Sequence, residues 1–460
     1  MTGRKERVKA QPANRLDGQS GMALLLTLLI IASLMAFSLS LVLFAQSVIR
    51  LSDTIASQSR AYYAAVAGLE EARGRLNPLA ADAIVTLPQQ INQVLYLLNS
   101  TSQDPVQPTN PSSPYYDYEY AQEFPGGFTA AQVLTSVASD QPSAGTSYVI
   151  PYKWVRVTLK TEYASKTDIN QDGILNSSVP INWNGTHQDL ATNMPNGMPV
   201  YMLTALAVEP NLIRKMLQEE VVGTPPLSPA GGVGTAGAAT LRGLWAEWQG
   251  SPNLTLNGMD SCGVQNVPGI TTGSTITTFG QMSILGSPSP SVQNLLPFPQ
   301  TAASIIQSLL PQAVPILYAD PTQVTLAPGG GSLVGTNVVF GQLPGQSSPG
   351  QPAVVYADRP LAISGSTSTG YGILLVNGNL SITGGFNYWG LIVSNGTVTL
   401  DLNPSGSIGI LGSLISSGNV SINSRASQYT SLSLNYDSCV IANIFRSLPL
   451  EVRSFKELSF

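Results

Sequence analysis

The sequence predicts an α+β chain: a long N-terminal transmembrane and amphipathic helix packed on an antiparallel sheet, followed by an all-β domain built as a parallel β-solenoid (β-helix). Three observations predict it. Met22–Ala45 is a run of 24 residues without a charge. A helical pattern then continues, free of proline, to Leu76. In the C-terminal half, glycine-led segments recur at spacings of 18 and 22 residues, and a short fixed repeat is the mark of stacked architectures.

At 1.5 Å rise per residue the apolar run spans about 36 Å as a helix, enough for a bilayer core of roughly 30 Å. Arg4, Lys5, Arg7, Lys9 and Arg15 precede it against Glu6 and Asp17, so the positive-inside rule keeps the N-terminus cytoplasmic and exports the rest. The run is too long for a cleaved secretory signal and has no clear small-residue site at its end. That leaves a simple signal anchor or a segment processed on its N-terminal side. Beyond the bilayer, Ile49, Ile55, Tyr62, Val66, Leu69, Ala72 and Leu76 recur at helical steps. Glu71 stands four residues before Arg75, the favourable order for a helical ion pair, and Pro78 marks the stop. From Met22 to Leu76 the rod measures about 80 Å.

The leader GQSG directly before MALLLTLLIIASL, with RAYYAAVAGLEEA at the far end of the helix, resembles the N-terminal region of PilX-type minor pilins of the type IV pilus. More distantly it resembles the type II secretion pseudopilin called general secretion pathway protein K. The resemblance covers residues 18–76. It implies cleavage between Gly21 and Met22 by a membrane-embedded prepilin peptidase, with methylation of the new first residue, Met22. It also implies that the helix, through positions such as Leu26, Tyr62, Val66 and Leu69, packs against the helices of other major and minor pilins. Major pilins carry a glutamate at the fifth mature position, where this chain has Leu26. A buried carboxylate needs a charge partner, and a subunit with no neighbour above it has no amine to offer one. Val66 stands where relatives often have glutamate.

The domain plan is then a basic leader at 1–21, the helix at 22–76 with its transmembrane part at 22–45, and a pilin-like module with long loops at 77–222. A Gly/Pro-rich linker at 223–240, the solenoid at 241–445 and a C-terminal tail at 446–460 complete it. In the module, residues 77–145 read as loops with a small helix at ADAIVTLPQQINQVLYLLN. Tyr115, Tyr116, Tyr118 and Tyr120 either pack onto the sheet or form a sticky surface. Residues 148–162 alternate Val155, Val157 and Leu159 with Arg156, Thr158 and Lys160, the pattern of a half-buried strand. Residues 200–208 and 212–222 flank a turn and read as a hairpin.

Within this module, TDINQDGILNSS places Asp168, Asn170 and Asp172 at alternate positions before Gly173, as in the first half of a calcium loop. Ile174 would add a carbonyl and Asn176 a further ligand. Position 12 is Val179, so the bidentate glutamate of an EF-hand is missing. Glu162 or Asp189 would complete the shell; the alternative is a solvated turn rich in Asx residues.

The repeat itself reads GILLVNGNLSI from Gly372, GLIVSNGTVTL from Gly390 and GSLISSGNVSI from Gly412, with second glycines at Gly378, Gly396 and Gly418. VVYADRPLAISG at 354–365 is a weaker copy. Stacked coils bury the apolar columns that one coil cannot bury alone; an antiparallel sandwich is the competing architecture. Residues 240–263 and 269–285 read as opening coils, and TAASIIQSLLPQAVPIL as an inserted helix with Ile305, Ile306, Leu309 and Leu310 on one face. The two cysteines, Cys262 and Cys439, flank this domain. An exported compartment permits a disulfide, yet opposite ends of a solenoid lie too far apart for one unless the chain doubles back.

Function classes narrow accordingly. The 460 residues carry a net charge of −5 with no lysine and arginine stripe, which argues against a nucleic-acid surface. Asp358, Arg359, Asp401, Arg425 and Asp437 are scattered, and His187 has no second histidine or cysteine to make a metal site. No enzyme is therefore expected, and no cofactor other than calcium. The expected role is a minor pilin-like structural subunit, held in the inner membrane with its bulk in the periplasm and then at the pilus or cell surface. A type II secretion pseudopilin, a singly anchored adhesin or envelope scaffold, and a carbohydrate-active β-helix enzyme are the alternatives.

Overall fold

The computed structural model describes residues 19–458 except 79, 81, 85, 125–128, 137–151, 196, 210–212, 245–252, 296–300, 321, 346–349, 403–405 and 425–429. The basic residues of the leader, residues 148–151 of the first expected strand, and Arg425 lie outside the described residues.

The first element is a helix, α1 (Gln19–Arg75), which runs unbroken through the Gly21–Met22 junction and ends three residues before Pro78. Next come β1 (Gln93–Leu98), the short helix α2 (Tyr118–Glu123), β2 (Thr129–Thr135) and β3 (Tyr152–Leu159). Then follow α3 (Glu162–Ser165), β4 (Ile181–Trp183), β5 (Gln188–Leu190), β6 (Met198–Val208) and β7 (Arg214–Val222). The sheet order is β2, β1, β3, β6, β7, with the β4–β5 hairpin joined to the first residues of β6. The β6–β7 hairpin is present as read from the sequence.

Two features of this sheet differ from the sequence reading. The segment taken as a small helix contains β1, a central strand whose QVLYLL is buried on both faces. A short run that is apolar throughout carries no period to separate helix from strand. The sheet is also mixed rather than antiparallel, because β1 and β2 run parallel; the described residues 99–124, which include α2, belong to the long crossover that parallel neighbours need. Asp117 and α2 of that crossover cover Arg156 of β3; Thr158 is buried as well, and Lys160, the residue after β3, is buried against Gln188 and Glu220.

Beyond β7 the chain enters a second sheet of 18 strands among the described residues. Its opening strands are β8 (Val233–Thr235) and β9 (Ala239–Arg242), so the last part of the expected linker already carries strand. They are followed by β10 (Leu254–Asn257), β11 (Ile270–Thr272), β12 (Ile276–Phe279), β13 (Ser283–Leu285) and β14 (Ser291–Val292). A helix, α4 (Ala302–Leu309), precedes β15 (Val314–Pro315), the helical turn α5 (Ile316–Ala319), β16 (Val324–Leu326), β17 (Leu333–Thr336) and β18 (Val339–Phe340). The regular part comprises β19 (Ala353–Ala357), β20 (Leu361–Val376), β21 (Leu380–Ser394), β22 (Val398–Asp401), β23 (Ile408–Ser416), β24 (Val420–Asn423) and β25 (Leu432–Asn435). Helix α6 (Ser438–Arg446) and strand β26 (Glu451–Leu458) close the chain.

This sheet is parallel throughout the regular part and curls on itself, with an antiparallel β16–β17 pair beside it. The repeats align in register: Gly372 lies opposite Gly390, and Gly390 opposite Gly412. One inward column reads Leu374, Ile392, Leu414, Val233 and Ile270 along the stack. All five are fully buried. Gly390 and Gly412 have φ of +134° and +137°, and a Cβ on either would run into the carbonyl oxygen of the glycine stacked below it. Glycine is required there both by the dihedral and by the close backbone approach.

Spatial order is not chain order. The opening strands β8, β9 and β10 do not start the stack but lie on β23, β24 and β25, the last coil. They in turn carry β11, β12 and β13 on their other side. The chain therefore doubles back, and entry and exit meet. The expected C-terminal tail is the strand β26, which pairs antiparallel with β7 at the edge of the first sheet. Helix α4 lies against the side of the curled sheet: Ile305, Ile306 and Leu309 pack with Ile441, Ile444 and Phe445 of α6 on the outer face formed by Ile373, Leu391 and Ile415. Leu310 points away from that face and is exposed.

Candidate assembly helix and its supporting sheet

Helix α1 divides sharply into two halves. From Met22 through Ala56 every residue is exposed, and the most apolar stretch has a mean hydropathy of 2.6 with none of it buried. From Ser57 onward one side of the same helix is seated on the sheet, through Ala64, Ala65, Leu69 and Ala72 against Val155, Leu203 and Leu217. The contact face is made of small residues, which lets the helix come close to the sheet. At Gly68 a Cβ would lie 2.9 Å from Cγ2 of Val155.

Polar contacts fix the seated half. The expected pair forms, with Arg75 Nη1 donating to Glu71 Oε1 at 3.5 Å, and Arg75 Nε approaches Asp82 Oδ2 at 3.4 Å. Glu71 also accepts from the hydroxyls of Tyr152 and Ser136. Arg60 donates to Glu209 at the far end of β6. In the exposed half the hydroxyls of Thr27, Ser33, Ser38 and Ser47 each donate to a carbonyl one turn back, so their hydrogens are satisfied within the helix.

The positions named from the resemblance separate along this division. Met22 and Leu26 are exposed, at 75% and 61%. Tyr62 is half-buried, edge-on to Tyr63 and to Phe455 of β26. Val66 is half-buried, and Leu69 is turned into the chain's own core, so it faces its sheet and not a neighbour.

The remaining candidates do not converge. Asp168, Asn170 and Asp172 fold one exposed turn with Gly173 at φ +82°: Asp168 accepts from the amides of Asp172 and Gly173, and Asp172 from the amide of Ile174. Glu162 is buried beside the turn and accepts from the amides of Ile169, Asn170 and Asn176 and from the side chain of Asn176. Those bonds hold its carboxyl below the usual range against the opposing effect of burial. Asp189 is engaged with Asn193. Among the described residues no three acidic, histidine or cysteine side chains cluster as metal ligands. Asp358 pairs with its neighbour Arg359, Asp401 accepts from Asn423, Asp437 caps α6, and His187 lies against Asn184 and Thr186.

Cys262 and Cys439 are joined in a disulfide, their Cα atoms 5.8 Å apart across 177 residues of sequence. The doubled-back strand order is what brings them together. Asp260 reinforces the joint by accepting from the amides of Cys262, Val264, Gln265 and Ser438. Those donors outweigh burial and hold its carboxyl down at about 2.

Sequence reasoning missed a buried charge network under α2. Arg156 is fully buried, and its Nη1 lies 2.8 Å from both oxygens of Asp117; Nη2 contacts Glu119, with Glu123 at 4.0 Å. Burial pushes Glu123 up to about 7. The one signal was the polar alternation in β3, which reports that two faces differ but not what covers them. Glu219 of β7 was missed as well: it is 4% exposed beneath α1, its Oε1 has no hydrogen-bond partner, and burial pushes it to about 7. Of the tyrosines, Tyr120 is buried against the sheet and Tyr118 is exposed.

No family model matches the chain, and no curated protein does. Among solved structures, the chain is similar to the competence-associated pilin ComZ from Thermus thermophilus. That likeness covers 87% of this chain and 97% of the other at 12% identity, with a TM-score of 0.21. A score of that size carries no weight for fold or function.

Proposed function

We propose that the chain is a minor pilin-like structural subunit, inserted through α1 into a type IV pilus assembly and displaying the curled parallel sheet outside the membrane as a β-solenoid. The observation that carries this reading is the division of α1. Its second half is committed to the chain's own sheet, while Met22–Ala45 leaves 24 uncharged residues exposed. Exposed apolar area on this scale is buried in lipid or against other helices. In the proposed path, a prepilin peptidase cuts between Gly21 and Met22. The helix passes from the inner membrane into contact with other pilins, and the bulk of the chain stands in the periplasm or at the pilus surface. The mechanism is association rather than catalysis. The absence of a carboxylate at Leu26 fits a subunit at or near a filament tip.

The test is coexpression with a prepilin peptidase, followed by mass analysis of the N-terminus. The wild type is expected to begin at Met22 and Gly21→Ala to keep its leader; identical processing of both would overturn the reading. For the turn at Asp168, Asn170 and Asp172 we propose weak calcium binding, supported by the alternate oxygen positions and the glycine at φ +82°. Millimolar calcium is then expected to raise the melting temperature of the wild type but not of Asp172→Ala, and equal responses exclude it.

A further inference from the structure

A cleft of about 730 Å³ lies where the inserted sheet meets the first sheet. It is lined by Cys439, Ala442, Asn443 and Arg446 of α6, by Pro225 and Pro226 after β7, and by Met194 and Pro195 between β5 and β6. The size is that of a pocket for a small molecule or a short peptide, and such sites favour junctions between structural units. The cleft belongs to no part of the helix-mediated assembly and stands or falls independently of it.

Its chemistry is lopsided. Arg446 is the one charged residue lining the cleft, with no aspartate or glutamate among the lining residues, although the whole chain carries a net charge of −5. Among the described residues Arg446 has no ion-pair partner, and the side-chain amides of Gln265 and Asn443 have no hydrogen-bond partner. Guanidinium and amides together offer a fork of donors for a carboxylate and paired donor and acceptor groups for a peptide main chain. Met194, Leu227 and Val264 give the cleft an aliphatic side. Its lone aromatic lining residue, Tyr436, is 3% exposed and presents no ring face for a sugar to stack on.

We propose that this cleft binds the free C-terminus of a peptide, its terminal carboxylate on Arg446 and an aliphatic last side chain against Met194 and Val264. The test uses the full chain in detergent and calorimetric titration with three probes: acetyl-Ala-Ala-Leu with a free carboxylate, the same peptide as its C-terminal amide, and glucuronic acid. The free acid is expected to bind about tenfold more tightly than the amide, the scale of one charge-assisted contact. Arg446→Gln is expected to erase that difference while leaving the melting temperature unchanged, because the side chain is exposed, and Arg446→Lys to retain part of it. Equal binding of acid and amide, no binding of either at millimolar concentration, a preference that survives Arg446→Gln, or glucuronic acid binding as tightly as the peptide would each overturn the proposal.

Discussion

Replacing Gly390 with alanine tests the central packing claim about the curled sheet. Gly390 sits at φ +134°, a region that non-glycine residues enter at a cost of order 1–3 kcal/mol. The new methyl would also run into the carbonyl oxygen of Gly372 and lie 2.7 Å from Cδ1 of Ile444 on α6. Both neighbours are fixed: the first is backbone held in register, and the second belongs to a fully buried side chain. Overpacking of this kind adds about 1–3 kcal/mol, so the total loss is about 2–6 kcal/mol. In a domain of this size that lowers the thermal transition by roughly 5–20 °C. Gly409→Ala in the same sheet is the control. Its Cβ would stand 3.5 Å from Oδ1 of Asn387 and 4.0 Å from Oγ of Ser433, with no restricted dihedral, so it should change stability by no more than about 0.5 kcal/mol. The assay is circular dichroism of the β signal during heating of the full chain in detergent. If Gly390→Ala melts with the control and the wild type, the stacked glycines are not sterically required and the register argument fails.

Three further outcomes follow from the same packing. Cys262→Ser removes a closure across 177 residues, which the chain-entropy model values at up to about 5 kcal/mol; reductant should shift the wild type to the variant's melting point and leave the variant itself unmoved. Arg156→Ala leaves Asp117 buried without its counter-ion, so a loss of about 3–5 kcal/mol is expected in denaturant titrations. Glu219 has a folded-state pKa raised by burial to about 7 from 4.5. The folded chain therefore holds a proton that the unfolded chain has released, and stability falls as pH rises from about 4.5 to 7. Glu219→Gln should flatten that part of the pH profile of the melting temperature.

What the sequence made legible was whatever repeats or has a local period. Helix α1 was readable because its apolar run and its steps of three and four are local, and the parallel register of β20, β21 and β23 because their inward positions align side chain for side chain. The strand β1 was not, since QVLYLL lies between two other strands and is buried on both sides. The burial of Arg156 was hidden because the layer that covers it comes from Asp117 and α2, far from β3 in sequence, and that of Lys160 because its partners are Gln188 and Glu220. The strand β26 reads as a polar tail because its partner, β7, lies more than two hundred residues upstream and its own side chains stay largely exposed. Of the candidate site, the division between exposed and seated halves of α1 was half legible: the apolar run was plain, but Leu69 was assigned outward when it serves the chain's own core.

The doubled-back coil order explains how so large a domain sits inside a sheet. Val222 at the end of β7 lies opposite Glu451 at the start of β26, so the insertion leaves and returns at neighbouring strands about 5 Å apart. Coils laid down in simple order would separate their first and last strands by about 4.8 Å at each step. Eight such levels would hold β7 and β26 apart or demand a long return connection. Here Val233 of the first coil lies on Leu414 of the last, and the return needs only α6. The disulfide and the Asp260 joint sit at this meeting of first and last strands of the curled sheet, and the disulfide closes a span of 177 residues. The sheet can complete its stack only after the final coil exists, because the opening strands have β23, β24 and β25 as neighbours on one side. Long-range closure of this kind is slow. Cys439→Ser should accordingly speed unfolding of the curled sheet, and in a stopped-flow series an unfolding rate equal to the wild type would show that the joint forms no part of what holds the coils closed.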